Sequence, residues 1–358
     1  MRFFRILGLT AVLAISCVAH AADDTSSSSK NKLVVYFIDV GMGDALFLDM
    51  PPNDSMLIDA GSWDGAGIEN LMGFLEEFFS DPDRENYKRT ISLVVATHQH
   101  KDHIEGMKSV LKDFKVGTYI DNGVGTACKG KKKSLTCDVE KLANQAKHHI
   151  HLTEKMIETD GKQGVFSDGI LDPFDAIDVF ALGATPKTAS KNENNNSIVL
   201  KIVFGKQSFL LQGDAEKEEE RRIIERLKAA NNLAVLDASV LKIGHHGSDT
   251  ASTKEFLDLV TPEVGVVSVG LAKNSPKTKQ FRLPKESVVR RLTETVSGRL
   301  QEQWEVEVFP DKKKGGKIAK PKIFGSNAEL FFTSADGSIK MATDGEKLNS
   351  EILEASGD

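Results

Sequence analysis

The 358 residues carry 40% hydrophobic and 27% charged side chains and a formal net charge of −6. That balance belongs to a globular chain with room for one large core or two modest ones. It excludes a protein that coats nucleic acid through bulk positive charge, and no stretch after the N-terminal apolar run is apolar enough for a membrane-spanning helix.

The chain begins with Arg2 and Arg5, an apolar run from Ile6 to Val18, and Ala19-His20-Ala21. A basic start, a short apolar centre and a small-x-small end read as a signal peptide over residues 1–21, so a secreted or periplasmic address is expected. Cys17 offers a lipoprotein alternative, although Ala14-Ile15-Ser16 is a poor lipobox. Residues 22–31 read as a polar, Ser-rich linker. One folded domain is expected over 32–345 and a flexible tail over 346–358.

Within that domain, Leu33–Val40, Ala45–Met50 and Met56–Asp59 read as a strand meander with turns at Gly41-Met42-Gly43-Asp44 and Pro51-Pro52. Asp44 and Asp59 stand at a turn and a strand end, where Asp also bonds its own backbone. Residues 67–80 carry Ile68, Leu71, Met72, Phe74, Leu75, Phe78 and Phe79 at helical spacing. The next apolar run, from Ile91, stops at Thr97, and His98, His100, Asp102 and His103 follow within six residues. A buried strand running into imidazoles and a carboxylate has the composition of a metal site. His98 and His100, two apart in extended chain, point the same way. Asp102 and His103, in the following turn, can serve a second ion. Residues 104–113 read as the helix behind that turn.

Residues 114–165 are the least readable stretch. They hold a short strand over 115–120, a Lys-rich loop between Cys128 and Cys137, and His148, His149 and His151, which read as a solvated segment. Two cysteines in an exported chain suggest one Cys128–Cys137 disulfide. Further on, a strand is expected over 176–182, a polar turn at Lys191–Asn196, and a hairpin over 197–204 and 208–211 running into Gln212-Gly213-Asp214. An acidic-to-basic helix follows over 215–230. A strand over 238–243 ends in Gly244-His245-His246-Gly247-Ser248. A helix over 252–259, a strand over 264–269, a basic helix over 285–299, and short strands at 306–309, 330–333 and 338–342 complete the pattern, with 312–322 a basic loop. Alternating strands and helices argue an α/β fold with some antiparallel pairing.

Four apolar runs thus end at metal-ligand residue types: Asp59, His98, Asp214 and His245. No Gly-x-Ser-x-Gly elbow, Walker loop or Cys nucleophile competes with them. A metal-activated water is the chemistry left.

HQHKDH, together with LVVYFIDVGMGDALFLDM, MLIDAG, NNNSIVLKIVFGKQSFLLQGD, LKIGHHGSDTAS and VVSVG in that order, resembles the metallo-β-lactamase superfamily, and within it the hydrolase domain of the ComEC competence proteins. The resemblance implies an αββα sandwich of two sheets with the site at one edge. It implies two divalent ions, zinc foremost, with manganese or iron as alternatives. His98 and His100 match ligands of the first ion, and Asp102, His103 and His245 ligands of the second. Asp214 matches the bridging carboxylate, and Asp102 the residue that also holds the attacking water. Asp59 matches a carboxylate supporting a ligand imidazole, while Asp44, Asn196, His246 and Ser248 match positions lining the site, with His246 the less favoured alternative to His245 as a ligand of the second ion.

Asn194–Ser197 stand where many members carry a further His, so the first ion is expected to be weakly held. Arg282-Leu283-Pro284 replaces the usual Gly-His-Pro and offers Arg282 for phosphate. The expected activity is phosphodiester hydrolysis on a nucleotide or nucleic acid, with Lys129–Lys133 and Lys312–Lys322 as guides for a polyanion. The alternatives are a lactam, lactone or thioester substrate, and a degenerate binding module. No protein partner is evident.

Overall fold

Strand alternation sorts the buried apolar residues into clusters, three among the described residues, and those clusters set the architecture. The computed structural model describes residues 31–123, 134–159, 174, 177–184, 192–270, 282–311 and 320–353. The N-terminal half holds β1 (Leu33–Phe37), β2 (Leu46–Met50), β3 (Asp54–Ile58), α1 (Gly65–Ser80), β4 (Thr90–Val95), α2 (Lys101–Ile104), α3 (Met107–Asp113), β5 (Lys115–Asp121), α4 (Leu135–Ala143), β6 (His148–His151) and α5 (Glu154–Thr159). Next come β7 (Asp178–Gly183), β8 (Val199–Phe204), β9 (Gln207–Leu211), α6 (Lys217–Ala229), β10 (Val240–Lys242), α7 (Lys254–Val260) and β11 (Val264–Val267). The chain closes with α8 (Glu286–Thr295), β12 (Arg299–Val308), β13 (Lys322–Ala328), β14 (Leu330–Phe332), α9 (Thr333–Asp336), β15 (Ser338–Thr343) and β16 (Leu348–Leu353).

Two main sheets result. One has eight strands in the order β16-β15-β1-β2-β3-β4-β5-β6, the other six in the order β14-β11-β10-β9-β8-β7, and β12 and β13 form a separate hairpin. Leu33, Val35 and Phe37 face Leu200, Ile202 and Phe209 across the inter-sheet core. The alternate residues of the first sheet, Tyr36, Phe47 and Leu57, pack outward on Leu71, Leu75 and Phe78 of α1. Leu210 and Leu241 of the second sheet pack outward on Ile223 and Leu227 of α6, Phe256 of α7 and Val289 and Leu292 of α8. Period-two strands with both faces apolar require a layer on each side. The product is the expected αββα sandwich, in which each fully buried Leu or Phe contributes about 1.5–3 kcal/mol.

Several stretches differ from expectation. The helix expected over 104–113 is split into α2 and α3, and α2 takes in Asp102 and His103. The basic helix ends at Thr295, where β12 takes over from Arg299. The stretch expected to be a tail carries β16, which pairs antiparallel with β15 from Ser338↔Leu353 to Thr343↔Leu348 and tucks Leu348 against the inter-sheet core. His148–His151 is a strand: it pairs in parallel with β5, from Thr118↔His148 to Asp121↔His151, and closes the sheet edge. A four-residue strand with Ile150 as its one apolar side chain is too short to show a two-residue period, which is why it reads as a solvated segment. The leader, the linker before Asn31, Cys128, Lys129–Lys133 and most of the 312–322 loop lie outside the described residues. Among the described residues, no helix is long and apolar enough to cross a membrane.

Strand direction positions the site. β3, β4, β5 and β6 run parallel in the first sheet, and β9, β10, β11 and β14 in the second. Their carboxyl ends are where a crevice can form in an α/β arrangement.

Candidate metal centre

Four of the parallel strands deliver polar residues to one crevice: Asp59 after β3, Thr97-His98 after β4, Asp214 after β9, and His245-His246 after β10. The loop after β2's partner strand adds Asp44. Close approach is made possible by Gly61, where a Cβ would lie 1.9 Å from the carbonyl carbon and oxygen of Asp102. The backbone of α2 therefore seats directly on the β3 exit, and Asp44 N–H donates to the Asp102 carbonyl at 3.0 Å.

One oxygen of Asp214 faces one half of the crevice and the other oxygen faces the other half. Its Oδ1 lies 3.3 Å from His103 Nε2 and 3.4 Å from His246 Nε2. His246 Nε2 is in turn 3.6 Å from Asp102 Oδ2. Asp102, His103, Asp214 and His246 are all buried, and each offers a ligand atom within 4.8 Å of the others. Asp214 Oδ2 lies 3.9 Å from His98 Nε2 and 3.9 Å from His245 Nε2. The ring of His100 stacks edge-on to His98 with centroids 4.7 Å apart and is the exposed member of the group.

This geometry corrects one expectation. His246, not His245, stands with Asp102 and His103. Both residues sit in left-handed backbone (φ 46° and 52°), and their rings reach different oxygens of Asp214. His245 goes to the His98 side, where its Nδ1 bonds Glu216 Oε1 at 3.0 Å and Thr250 Oγ1 at 3.0 Å. Ser248 Oγ contacts the same Thr250 hydroxyl at 3.0 Å and so supports His245. A His-His pair gives no sign in the sequence of which ring turns which way.

The imidazoles are fixed by their other nitrogens. His103 Nδ1 donates to Asp59 Oδ2 at 2.7 Å, and Asp59 also accepts from the Thr97 N–H and hydroxyl at 2.7 and 2.8 Å. His246 Nδ1 donates to the Ser268 carbonyl at 2.9 Å. Both rings thus present Nε2 lone pairs to the crevice. Asp44 supports them at longer range, 3.8 Å from His103 Nδ1 and 3.5 Å from His246 Nδ1, and pairs with the buried ammonium of Lys242. Lys242 was not anticipated. Its only sequence signal is a Lys inside the apolar run Val240–Ile243, where an unpaired charge would be costly.

The Asn-rich turn is a 3₁₀ segment, Glu193–Asn196, against the same crevice. Ser197 Oγ lies 3.4 Å from His98 Nδ1 and accepts the Asp214 N–H at 3.2 Å. Asn196 donates to Glu193 at 3.1 Å, and its carbonyl accepts from Asn122 at 3.1 Å. Arg282 is half-buried in left-handed backbone, and Pro284 packs against Gly247 at the rim. Cys137 lies in α4, which packs through Val139 and Ala143 on the outer face of the eight-stranded sheet.

Electrostatics divides the site into anions and proton holders. Burial favours the neutral acid at Asp214, yet His246, His103 and His245 hold it well below the usual carboxylate range. Burial likewise opposes charge on Asp102, but nearby His246 and His103 keep it depressed. Burial works against a proton on His103, and the Asp214 and Asp59 carboxylates reverse that and raise it well above the usual imidazole range. Burial and neighbouring His103 push His98 the other way. A cation here would take the place of those protons.

The donor set fits such a cation. Among the described residues, buried side-chain atoms without a hydrogen-bond partner gather in this crevice: Nε2 of His98, His103 and His246, and Oδ1 of Asp102 and Asp214. Orphaned buried atoms of this kind are costly unless something binds them. Imidazole with carboxylate suits Zn²⁺, Mn²⁺ or Fe. Asp102, His103, His246 and Asp214 Oδ1 would hold one ion, and Asp214 Oδ2 with His98, His100 and His245 another.

Comparison with known proteins bears on the family. The family model described as the metallo-beta-lactamase superfamily matches residues 38–270. ComE operon protein 3 of Bacillus subtilis is 27% identical over 299 residues, which cover 76% of this chain and 33% of that protein. Recombination protein 2 of Haemophilus influenzae is 26% identical over 269 residues, covering 74% of this chain and 27% of that protein. Competence protein ComA of Neisseria gonorrhoeae is 35% identical over 101 residues, 28% of this chain and 13% of that protein. The chain therefore spans a third or less of the length of these curated relatives. Among solved structures, the metallo-beta-lactamase fold protein YhfI from Bacillus subtilis aligns with a TM-score of 0.42 at 9% identity, covering 85% of this chain and 98% of that one.

Proposed function

We propose that this chain, which belongs to the metallo-beta-lactamase superfamily, is an exported metal-dependent hydrolase of phosphodiester bonds. The observation that carries the hydrolase reading is the convergence of three orphaned imidazole nitrogens, of His98, His103 and His246, and two orphaned carboxylate oxygens, of Asp102 and Asp214, on one buried crevice. Two divalent ions bound there would make water acidic enough to attack at neutral pH and would neutralise charge on a phosphoester.

The protein's own part follows from its geometry. Asp102, kept ionised, accepts a hydrogen bond from the attacking water and aligns it. Asp59 and the Ser268 carbonyl hold the rings of His103 and His246 so that their Nε2 atoms stay aimed inward. Asp214 spans both halves and keeps them in one register. The buried Lys242–Asp44 pair holds charge balance behind the two imidazoles. Exposed His100 marks the open side, where a substrate enters. Relatives named for competence and recombination favour nucleic acid or a nucleotide as the substrate class. The Arg2-to-Ala21 leader supports export, and the mature N-terminus read by mass spectrometry would test it.

The test of the reaction is a panel of bis-p-nitrophenyl phosphate, single-stranded DNA and nitrocefin, with wild type and Asp102→Ala and metal content measured in both. Phosphodiester cleavage by the wild type, lowered at least about a hundredfold in Asp102→Ala, is expected. Cleavage that survives the substitution would identify a contaminant. Nitrocefin turnover alone would favour a lactam substrate, and fewer than one bound transition metal per chain with no activity restored by Mn²⁺ or Zn²⁺ would favour a binding module.

A further inference from the structure

A second cluster of ligand-type side chains lies at the edge of the eight-stranded sheet, outside the crevice described above. Three consecutive elements build it. Asp121 ends β5, Glu140 lies on α4, and His149 and His151 stand two apart on β6. Because strand side chains alternate, His149 and His151 share one face, while Ile150 between them packs into the inter-sheet core. Their face is the outer one, covered by α4 through Val139 and Ala143.

The distances are those of a preformed donor set. His149 Nε2 lies 3.1 Å from Asp121 Oδ2 and 4.0 Å from Glu140 Oε2. His151 Nδ1 lies 2.6 Å from Asp121 Oδ1, and its Nε2 3.7 Å from Glu140 Oε1. All four residues offer ligand atoms within 4.8 Å of one another. Tetrahedral ligands about 2.0–2.1 Å from Zn²⁺ stand roughly 3.3 Å apart, so small side-chain rotations suffice.

Two further observations point to a cation rather than a chance polar edge. His149 Nδ1 faces Asn144 Oδ1 at 3.1 Å; an amide oxygen can only accept, so Nδ1 carries a hydrogen and Nε2 is left to face the Asp121 carboxylate, to which it donates in the absence of an ion and beside which it would serve as a ligand once the proton is displaced. Tyr119 packs edge-on against His149 with centroids 5.2 Å apart, and its buried hydroxyl has no hydrogen-bond partner among the described residues. Asp121 itself is 1% exposed, and a carboxylate so buried demands compensating positive charge.

We propose that Asp121, Glu140, His149 and His151 form a second, structural metal site that takes a divalent transition ion, zinc by its donor set. Two carboxylates balance the dication, and two imidazoles favour Zn²⁺ over Ca²⁺ or Mg²⁺. The ion would clamp the β5–α4–β6 crossover and so fasten β6, the short edge strand of the sheet.

The test counts zinc per chain after dialysis, in wild type, in the double variant His149→Asn/His151→Asn, and in Glu140→Gln. The double variant should lose one ion per chain and keep those of the main crevice. Glu140→Gln should weaken one class of zinc sites by about tenfold or more. A chain with His98→Ala and His103→Ala should still hold one zinc. Equal zinc counts and equal affinities in wild type and double variant would overturn the proposal. Should circular dichroism show the double variant misfolded, an unchanged zinc titration in Glu140→Gln would overturn it just as well.

Discussion

At the scale of single residues, the division of labour within His245-His246 is the sharpest consequence of the geometry. His246 Nε2 shares Asp214 Oδ1 with His103, whereas His245 Nε2 faces Asp214 Oδ2 beside His98. Replacing either ring should therefore weaken a different ion. His246→Ala is expected to weaken the ion held with Asp102 and His103 by about 10–100-fold or more, because a ligand is lost as well as its orientation. His245→Ala should spare that ion and weaken the one on the His98 side. Competitive metal titration of the two variants separates these outcomes. Identical losses in both variants would show that the two halves do not act separately.

At the scale of elements, the site depends on how closely α2 can lie on the exit of β3. Gly61 has no room for a side chain, since its Cβ would sit 1.9 Å from the Asp102 carbonyl. Gly61→Ala should push α2 away, lower metal affinity and destabilise the fold by about 1–3 kcal/mol. Gly73, inside α1 with open space around it, is the matched control. Gly73→Ala should be neutral or stabilising by roughly 0.5–1 kcal/mol. Chemical denaturation of both variants checks the contrast.

A second inter-element device anchors the strained loop at 244–247. Glu220 of α6 accepts the backbone N–H groups of Ser252 and Thr253 and the amide of Gln212, while Gln212 Oε1 accepts the Gly244 N–H. Burial raises the Glu220 pKa, and the bonds from Thr253, Gln212 and Ser252 offset this only in part. Folded chains therefore keep the proton where unfolded chains lose it. The resulting contribution to stability is complete below the ordinary Glu range and is lost as pH rises through the raised value. Melting temperatures of wild type and Glu220→Gln should show that slope in the wild type and a flatter one in the variant.

For the whole molecule, the orphaned atoms of the crevice tie folding to metal. An ion that binds only the folded chain adds about 2.7 kcal/mol when its free concentration is a hundred times Kd. Removal of metal with a chelator should lower the melting temperature, and Zn²⁺ added back should restore it. A melting temperature indifferent to chelation would mean that the buried donors are satisfied without an ion.

The sequence by itself determined the α/β alternation and most strands. The apolar runs at Leu33, Met56, Ile91, Val199 and Val240 are long enough and β-branched enough to dictate extended chain whatever surrounds them. It also set out the motif residues His98, His100, Asp102, His103 and Asp214, because ligand types crowd a strand end and match a known pattern. Tertiary structure alone decided the rest. Which ring of His245-His246 faces Asp102 depends on two left-handed backbone residues next to Gly244, whose N–H is held by Gln212, 32 residues away, and by Ser252. Lys242 is meaningful only because Asp44, 198 residues distant, meets it inside the core. His149 and His151 became a strand edge only through pairing with β5, since four residues with a single apolar side chain, Ile150, leave no hydrophobic period to read. The last strand, β16, is likewise held by β15 across the sheet rather than by any preference of its own.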